Sequence, residues 1–229
     1  MSHATPPSVP VVPGAPCGAG FADPPVEAAR AFRAAIDALS RPGRAVTIPV
    51  STPGPTPPEG LSPAAAVLLL TLADPDTPVW LSGTATSASA PTPEADPSAS
   101  PTAALPAEWL LFHTGAPRSD NRADASIAVG DWQSLTPLQG WSAGTAEFPD
   151  RAATLIVEVP ALTGGPALTL TGPGIDGQCT MAPVLPEGAA DIFAANAAGF
   201  PLGLDFFLTS GNAVIGLPRS TRVAAVGAA

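Results

Sequence analysis

The stretch "FPLGLDFFLTSGNAVIGLPRSTRV", residues 200–223, predicts a pair of strands at the centre of a sheet. Phe206 and Phe207 point to opposite faces of the first strand, and Val214 and Ile215 do so in the second. Apolar side chains on both faces are typical of strands that are covered on both sides. The first strand carries Leu204, Phe206 and Leu208 on one face, and the second alternates Ala213, Ile215 and Leu217 with Val214.

Two helices are predicted in the first third of the chain. The first begins with Asp23 as a potential cap and Pro24 in the first helical position, and it ends before residues 42–43. The second begins after Ser62 and runs through residues 64–72. Apolar residues recur every three or four positions in the first helix and form one face, namely Val26, Ala29, Phe32, Ile36 and Leu39.

The remaining segments alternate between predicted strands and one further helix, which gives a mixed α/β sandwich. We expect a single domain over residues 21–223, with a flexible Pro-rich tail at 1–20 and a short tail at 224–229. A segment rich in Ser, Thr, Ala and Pro, residues 82–106, is expected to be an exposed insertion. Predicted strands cover residues 44–50, 77–81, 108–115, 124–130, 153–159 and 167–172, and a helix covers 187–199.

The charge of the chain limits its partners. Its formal net charge is −10, which argues against nucleic acid and anionic membranes because phosphate groups are bound mainly by Lys and Arg. All nine basic residues are arginines, so a lysine Schiff base or a P-loop lysine is excluded. The cysteines and histidines show no spacing typical of a zinc site. We find no secretion signal and no membrane span, and a cytoplasmic protein is the expectation.

The segment "GLPRSTRV" is the main candidate for a functional site. Pro218 ends the strand pairing, and Arg219 and Arg222 leave the sheet in a turn around Ser220 and Thr221. Arginine forks beside hydroxyl groups suit a phosphate or phosphonate oxygen. They equally suit a carboxylate of a partner chain or of this chain, and all three interpretations stay open.

Two other residues complete the list of titratable candidates. His113 is the imidazole within the predicted domain and the default general acid or base; the alternative is a histidine bonded to backbone at the end of a strand. Asp205 lies between apolar residues on the first strand of the predicted pair. We expect Asp205 to pair with an arginine or with backbone donors, because an unpaired buried carboxylate is costly.

Two short motifs are typical of enzymes but lack the context that those enzymes need. "GWSAG", residues 140–144, matches the serine elbow of α/β-hydrolases, yet both histidines precede Ser142 in the chain. "GPGIDG", residues 172–177, matches a dinucleotide-binding loop, yet Pro183 and Pro186 delay the helix that should follow at once. Both motifs are interpreted as Gly-rich loops.

Several blocks together resemble a known family. "GFADPPVEAARAFRAAIDALSRPGR", "LLTLADPDTPVWL", "LLFHTGAP", "ATLIVEV", "LTLTGPGI" and "FPLGLDFFLTSGNAVIGLPRSTRV" follow one another as in the PhnH family of the bacterial carbon-phosphorus lyase system. The resemblance runs from about residue 20 to residue 223. It implies a three-layer α/β/α sandwich with a mixed central sheet, similar to pyridoxal-phosphate transferases but without that cofactor.

The resemblance also implies a place in organophosphonate breakdown. Family members form homodimers and join the sister subunits G, I and J in a core complex. With G, I and the ATPase-like L, they support displacement of adenine from ATP by an alkylphosphonate, which gives a ribose 1-phosphonate 5-triphosphate. Two roles for this chain follow: a non-catalytic scaffolding dimer, or a direct contributor of phosphate-binding groups, with Arg219, Ser220, Thr221, Arg222 and His113 as candidates. The resemblance assigns no catalytic residue, metal or cofactor to this chain.

Overall fold

The computed structural model describes residues 18–52, 54–82 and 106–226, which form a mixed α/β fold. The α-helices of these residues are α1 (Pro24–Ser40), α2 (Pro63–Leu72), α3 (Pro106–Thr114), α4 (Trp132–Leu135) and α5 (Ala189–Ala198). The strands are β1 (Ala45–Thr47), β2 (Val79–Leu81), β3 (Ile127–Asp131), β4 (Thr154–Glu158), β5 (Leu168–Thr171), β6 (Cys179–Met181), β7 (Asp205–Ser210), β8 (Ala213–Leu217) and β9 (Arg222–Ala225).

The central sheet has six strands in the order β1-β8-β7-β4-β3-β2. Strands β2, β3, β4 and β7 run parallel, whereas β8 is antiparallel to both β7 and β1. The predicted terminal pair is therefore confirmed as the β7–β8 hairpin, in which Phe206 lies opposite Leu217 and Leu208 opposite Ile215. The mixed sheet is confirmed as well.

Both faces of the central sheet are buried, as the alternation in the hairpin predicts. Phe207 and Val214 belong to one apolar cluster, together with residues of α1, α2 and α3. Phe206 and Ile215 belong to the cluster on the other face, with Phe193 of α5. The period of two in an extended chain sends successive side chains to these two clusters.

The second face is covered by a small sheet as well as by helix. Strands β6, β5 and β9 form an antiparallel sheet in that order, and Leu168, Leu170, Met181 and Val223 from it lie in the same cluster as Phe206. This layer therefore combines helix and strand. The layering as an α/β/α sandwich, and the similarity to pyridoxal-phosphate transferases, stay predictions.

One predicted strand is wrong. The sequence predicts an extended segment at residues 108–115, but Pro106–Thr114 form helix α3. Pro106 occupies the first turn, where its missing N–H costs nothing, and Glu108 lies in the same turn, near the positive end of the helix dipole. A short, uninterrupted apolar run such as "WLLF" has no period that separates strand from helix.

Helix α1 is confirmed, but most of its larger apolar side chains point outward, and only Leu39 among them packs against the core. The core side of α1 is made by Ala31, Ala35 and Ala38. This side packs on Gly216 of β8, where an added Cβ would lie 2.5 Å from the carbonyl carbon of Ala38. Only small residues permit such a close approach of helix and strand backbones. Three residues of the predicted apolar face remain exposed, namely Val26, Phe32 and Ile36.

Helix α2 begins as predicted. The side chain of Ser62 accepts a hydrogen bond of 3.2 Å from the N–H of Ala65, and Pro63 follows as the first helical residue. The helix is buried on most sides, which explains why its sequence is apolar throughout rather than amphipathic. None of the helices in the described ranges is long and apolar enough to cross a membrane.

The predicted tails and the predicted insertion fall largely outside the described residues, which exclude 1–17, 83–105 and 227–229. Of the N-terminal tail, Gly18 and Ala19 lie within the description, and the carbonyl of Ala19 accepts a hydrogen bond of 2.8 Å from the N–H of Thr56. At the other end, β9 extends to Ala225, two residues beyond the expected boundary of the domain at residue 223.

Candidate functional site

Arg219 is bound within its own chain. Its Nε donates a hydrogen bond of 3.1 Å to Asp205 Oδ1, its Nη2 bonds the other carboxylate oxygen, and its Nη1 donates to the carbonyl of Pro149. The backbone N–H of Arg219 also donates to Asp205 Oδ1, at 2.8 Å. The two side chains are only 13% and 22% exposed. The prediction that Asp205 pairs with an arginine or with backbone donors is confirmed on both counts.

The hairpin geometry explains this pair. Asp205 is the first residue of β7, and Arg219 lies just beyond the end of β8, so antiparallel pairing returns the chain to the same end of the sheet. Pro218 then ends the pairing, and its carbonyl accepts a hydrogen bond of 2.8 Å from the N–H of Thr221, which closes a turn. Arg219 thereby ties the end of the hairpin to its beginning.

The other three residues of the turn have different environments. The side chain of Thr221 is buried, and its hydroxyl has no hydrogen-bond partner among the described residues. Ser220 is half-buried, with its carbonyl close to Gly172. Arg222 starts β9 opposite Thr171 and is exposed. The turn therefore holds one arginine inward and directs the next one to the surface.

Arg222 lines a shallow pocket of about 400 Å³ on the outside of α5. The other walls are mainly apolar and include Ala194, Ala197 and Phe200. No carboxylate of the described chain forms an ion pair with Arg222. Of the candidates in the turn, Arg222 is the cation that a ligand or another chain can reach.

His113 lies in the last turn of α3, away from the contacts that define the turn after β8. Its Nε2 is 2.8 Å from the carbonyl oxygen of Gly18, and its ring packs edge-on against Trp109, with ring centroids 5.1 Å apart. A Cβ on Gly20 would lie 2.7 Å from its Nδ1. The imidazole therefore fastens the segment before α1 to α3, and its described contacts share no residue with those of Arg219.

The two enzyme-like motifs form loops. Ser142 of "GWSAG" donates a hydrogen bond of 2.9 Å to the carbonyl of Arg151 and lies in an irregular segment. "GPGIDG" is followed by strand β6 and not by a helix, and an added Cβ on Gly174 would lie 2.1 Å from the carbonyl oxygen of Ser40. The interpretation of both as Gly-rich loops is confirmed. Among the described residues, no group of three or more His, Cys, Asp or Glu side chains is placed to hold a metal ion.

A partly buried carboxylate that sequence reasoning missed lies at the carboxyl end of β4. Glu158 Oε1 accepts a hydrogen bond of 2.6 Å from the backbone N–H of Ser62, the cap of α2, and Oε2 accepts one of 3.0 Å from the hydroxyl of Thr209 on β7. Burial raises the pKa of the Glu158 carboxyl, and these hydrogen bonds counteract the rise only in part. The signal in the sequence is a single carboxylate between Val157 and Val159 in an otherwise uncharged strand.

Of the remaining arginine side chains, some pair with or stack on other groups of the described chain and some do not. The guanidinium of Arg122 stacks on Trp80 and Trp141, at 5.4 and 4.8 Å from the ring centroids, and donates to the carbonyl of Ser134 at 2.7 Å. Arg151 stacks on the ring of Phe148 at 4.1 Å. Two arginines form exposed ion pairs with nearby aspartates, Arg41 with Asp37 and Arg118 with Asp120. No described side chain pairs with Arg30, Arg33, Arg44 or Arg222.

Comparison with known proteins gives one consistent result. The sequence model of the family described as "Bacterial phosphonate metabolism protein (PhnH)" matches residues 19–224. The chain is 40% identical over 205 residues to "Alpha-D-ribose 1-methylphosphonate 5-triphosphate synthase subunit PhnH" of Rhizobium meliloti (strain 1021), a match that covers 89% of this chain and 93% of that protein.

A second relative matches a shorter part of the chain. The "Putative C-P lyase subunit protein HtxG" of Stutzerimonas stutzeri is 38% identical over 86 residues, which are 37% of this chain and 44% of that protein. The family match runs from the segment that contacts His113 to strand β9, and so it includes both the central sheet and the turn that holds Arg219.

Proposed function

Because the chain belongs to the PhnH family of bacterial phosphonate metabolism proteins, we propose that it is a subunit of the system that makes α-D-ribose 1-methylphosphonate 5-triphosphate in organophosphonate breakdown. The match to a named synthase subunit over nearly the whole length of both chains is the observation that carries this proposal. Sister subunits G, I and J are the proposed partners, and the cytoplasm is the proposed location.

Within that system, the proposed role is that of a non-catalytic, homodimeric scaffold. Arg219, at the centre of the candidate anion site, is occupied by Asp205 and by the carbonyl of Pro149, so its donors serve the fold. His113 is likewise occupied by the backbone of Gly18. The surface offers apolar area on α1 and α3 instead, which is typical of contact with other chains.

A direct contribution to phosphate or phosphonate binding is the second candidate role, and Arg222 is the observation that favours it. Its side chain is exposed, borders a pocket and has no carboxylate partner among the described residues. The neighbouring hydroxyl of Thr221 also lacks a partner there, although it is buried. In this role Arg222 would hold a phosphate oxygen at the edge of a site that another subunit completes.

Reconstitution tests the two roles against each other. The wild-type chain and Arg222→Ala are each co-expressed with the sister subunits G, I and J, and the purified complexes are assayed with the ATPase-like L protein, ATP and methylphosphonate for ribose 1-methylphosphonate 5-triphosphate. The scaffold role predicts that Arg222→Ala forms product in proportion to the complex that it assembles, whether Arg222 holds a partner chain or contributes nothing to assembly. Normal assembly with loss of product would contradict it and support the second role. Arg118→Ala is the matched control, since Arg118 is also an exposed arginine.

Calorimetric titration gives an independent test. If the chain contributes binding groups by itself, ATP or methylphosphonate at millimolar concentration will release or take up heat with the wild-type chain and not with Arg222→Ala. The scaffold role predicts no heat of binding with either protein.

A further inference from the structure

The outer face of helix α1 is apolar, and the described parts of the chain leave it exposed. Val26 is 42% exposed, Phe32 is 49% exposed and Ile36 is 50% exposed, although the helix lies directly on the central sheet through its alanines. Apolar side chains that recur along three turns of one helix form a continuous strip. We refer to this surface as the outer face of α1; it comprises Val26, Ala29, Arg30, Phe32, Arg33 and Ile36.

The charges on this face are unbalanced. Among the described side chains, none pairs with Arg30 or Arg33. The two acids of the helix already have partners: Glu27 accepts hydrogen bonds from the N–H of Asp23 and the hydroxyl of Ser51. Asp37 borders the same surface, but its carboxylate pairs with Arg41. In a chain whose net charge is −10, two unpaired arginines on one apolar surface are complementary to an acidic partner.

A groove runs along the same surface and indicates the shape of the partner. It has a volume of about 780 Å³ and lies between α1 and the edge of the central sheet, with Val26, Ala29 and Arg33 on one wall and Val46 and Pro49 on the other. Strand β1 at this edge has only three residues, and Pro49 follows without a backbone N–H. An added β-strand would find little to pair with there, whereas a helix needs only an apolar groove.

We propose that the outer face of α1 and this groove bind an amphipathic helix of another subunit of the same complex, a helix whose apolar side is flanked by Asp or Glu. This inference rests on the proposed function for the existence of the complex. A second copy of this chain fits the face less well, because two copies of α1 would bring four unpaired arginines into one interface. From Val26 to Ile36 the strip is about 15 Å long, so a partner helix of three to four turns would cover it.

Co-expression with the sister subunits G, I and J tests the inference. The chain carries an affinity tag, and the amount of each subunit retained per tagged chain is measured for the wild type, for Phe32→Asp and for Arg30→Glu combined with Arg33→Glu. Phe148→Asp is the matched control, because Phe148 is 47% exposed, close to the 49% of Phe32, and lies between α4 and β4, away from the surfaces proposed for contact with other chains. Thermal unfolding of each isolated chain shows that it is folded.

We expect Phe32→Asp and the double arginine variant each to weaken retention of one subunit by about tenfold or more, as is usual when a central anchor of an interface is lost. The control should retain wild-type amounts. Wild-type retention by both test variants would overturn the inference and leave the proposed function intact. If the wild-type chain retains no subunit, the proposed function itself is wrong. Light scattering tests whether a second copy of this chain binds the outer face of α1 instead. If Phe32→Asp dissociates a dimer of the chain while the sister subunits stay bound, the face belongs to a second copy. That result would also overturn the inference.

Discussion

The turn after β8 and the outer face of α1 each carry two arginines three residues apart, but only in the turn does the fold bind one of the two. In the turn, Arg219 lies beside the carboxylate of Asp205 and the carbonyl of Pro149, which occupy its guanidinium. On α1, Arg30 and Arg33 have no such neighbours among the described side chains. The sequence motif around the turn is the more suggestive of a ligand site. Whether an arginine is available to bind a ligand depends on the groups that the fold places beside it, and not on the sequence motif in which it occurs.

The largest effect that this comparison predicts is on stability. Arg219→Ala leaves the carboxylate of Asp205 partly buried without a cation, and we expect the free energy of unfolding to fall by about 2–3 kcal/mol. Arg118→Ala, which removes an exposed ion pair with Asp120, should cost less than about 0.5 kcal/mol. Urea unfolding of both variants measures the difference. Equal losses would mean that Arg219 is no more a structural residue than Arg118 is.

A second prediction concerns the reason why α1 turns its larger side chains outward. A methyl group added by Gly216→Ala would lie 2.5 Å from the backbone of α1 at Ala38, and we expect a loss of about 1–3 kcal/mol as the helix is forced away. Gly199→Ala is the control, since its added methyl would meet no atom closer than 3.4 Å. If the two substitutions have the same small effect in urea unfolding, close packing does not fix the orientation of α1.

The two sides of α1 also show how far the sequence predicts the fold. The periodic pattern correctly predicts the helix and its ends near residues 24 and 40. It does not reveal which side meets the sheet, because that depends on Gly216, which is remote in sequence and offers room only for alanines. The same limit applies to the parallel pairing of β3, β4 and β7, whose partners are joined by long connections.

The candidate site, like the fold, was predictable from the sequence only in part. The sequence correctly predicts that Asp205 needs a cation or backbone donors, because an unpaired carboxylate is costly in that position. It does not show that Arg219 is the partner, which requires the register of the β7–β8 hairpin. Glu158 escapes sequence reasoning because its partners, Ser62 and Thr209, come from two other parts of the fold and carry no charge that marks them.

Glu158 extends the comparison to a partly buried carboxylate whose described hydrogen-bond partners are neutral groups and not an arginine. Burial raises its pKa in the folded chain above the value of about 4.3 in the unfolded chain, so the folded state binds its proton more tightly. The stability associated with this group is therefore present below about pH 4.3 and is lost as the pH rises through the raised pKa. Glu158→Gln keeps an acceptor for the N–H of Ser62 and removes the charge.

We expect Glu158→Gln to gain stability relative to the wild type as the pH rises from about 4 to about 7, and to lose that advantage at the acidic end of this range. Urea unfolding of both proteins across this range measures the difference. Asp150→Asn, at an exposed carboxylate, is the control for the replacement of a carboxylate by an amide. A difference between Glu158→Gln and the wild type that is the same at every pH would show that the donors around Glu158 fully offset the effect of burial on its pKa.

The smallest expected effect is on the outer face of α1. Arg30→Ala combined with Arg33→Ala removes no ion pair among the described side chains, and alanine is a better helix former than arginine, so the free energy of unfolding should change by less than about 0.5 kcal/mol. A loss of about 1 kcal/mol or more in urea unfolding would mean that these arginines already serve the fold, as Arg219 does. A neutral result, set beside the loss for Arg219→Ala, would leave both side chains free to bind another molecule, because the fold would then not depend on either of them.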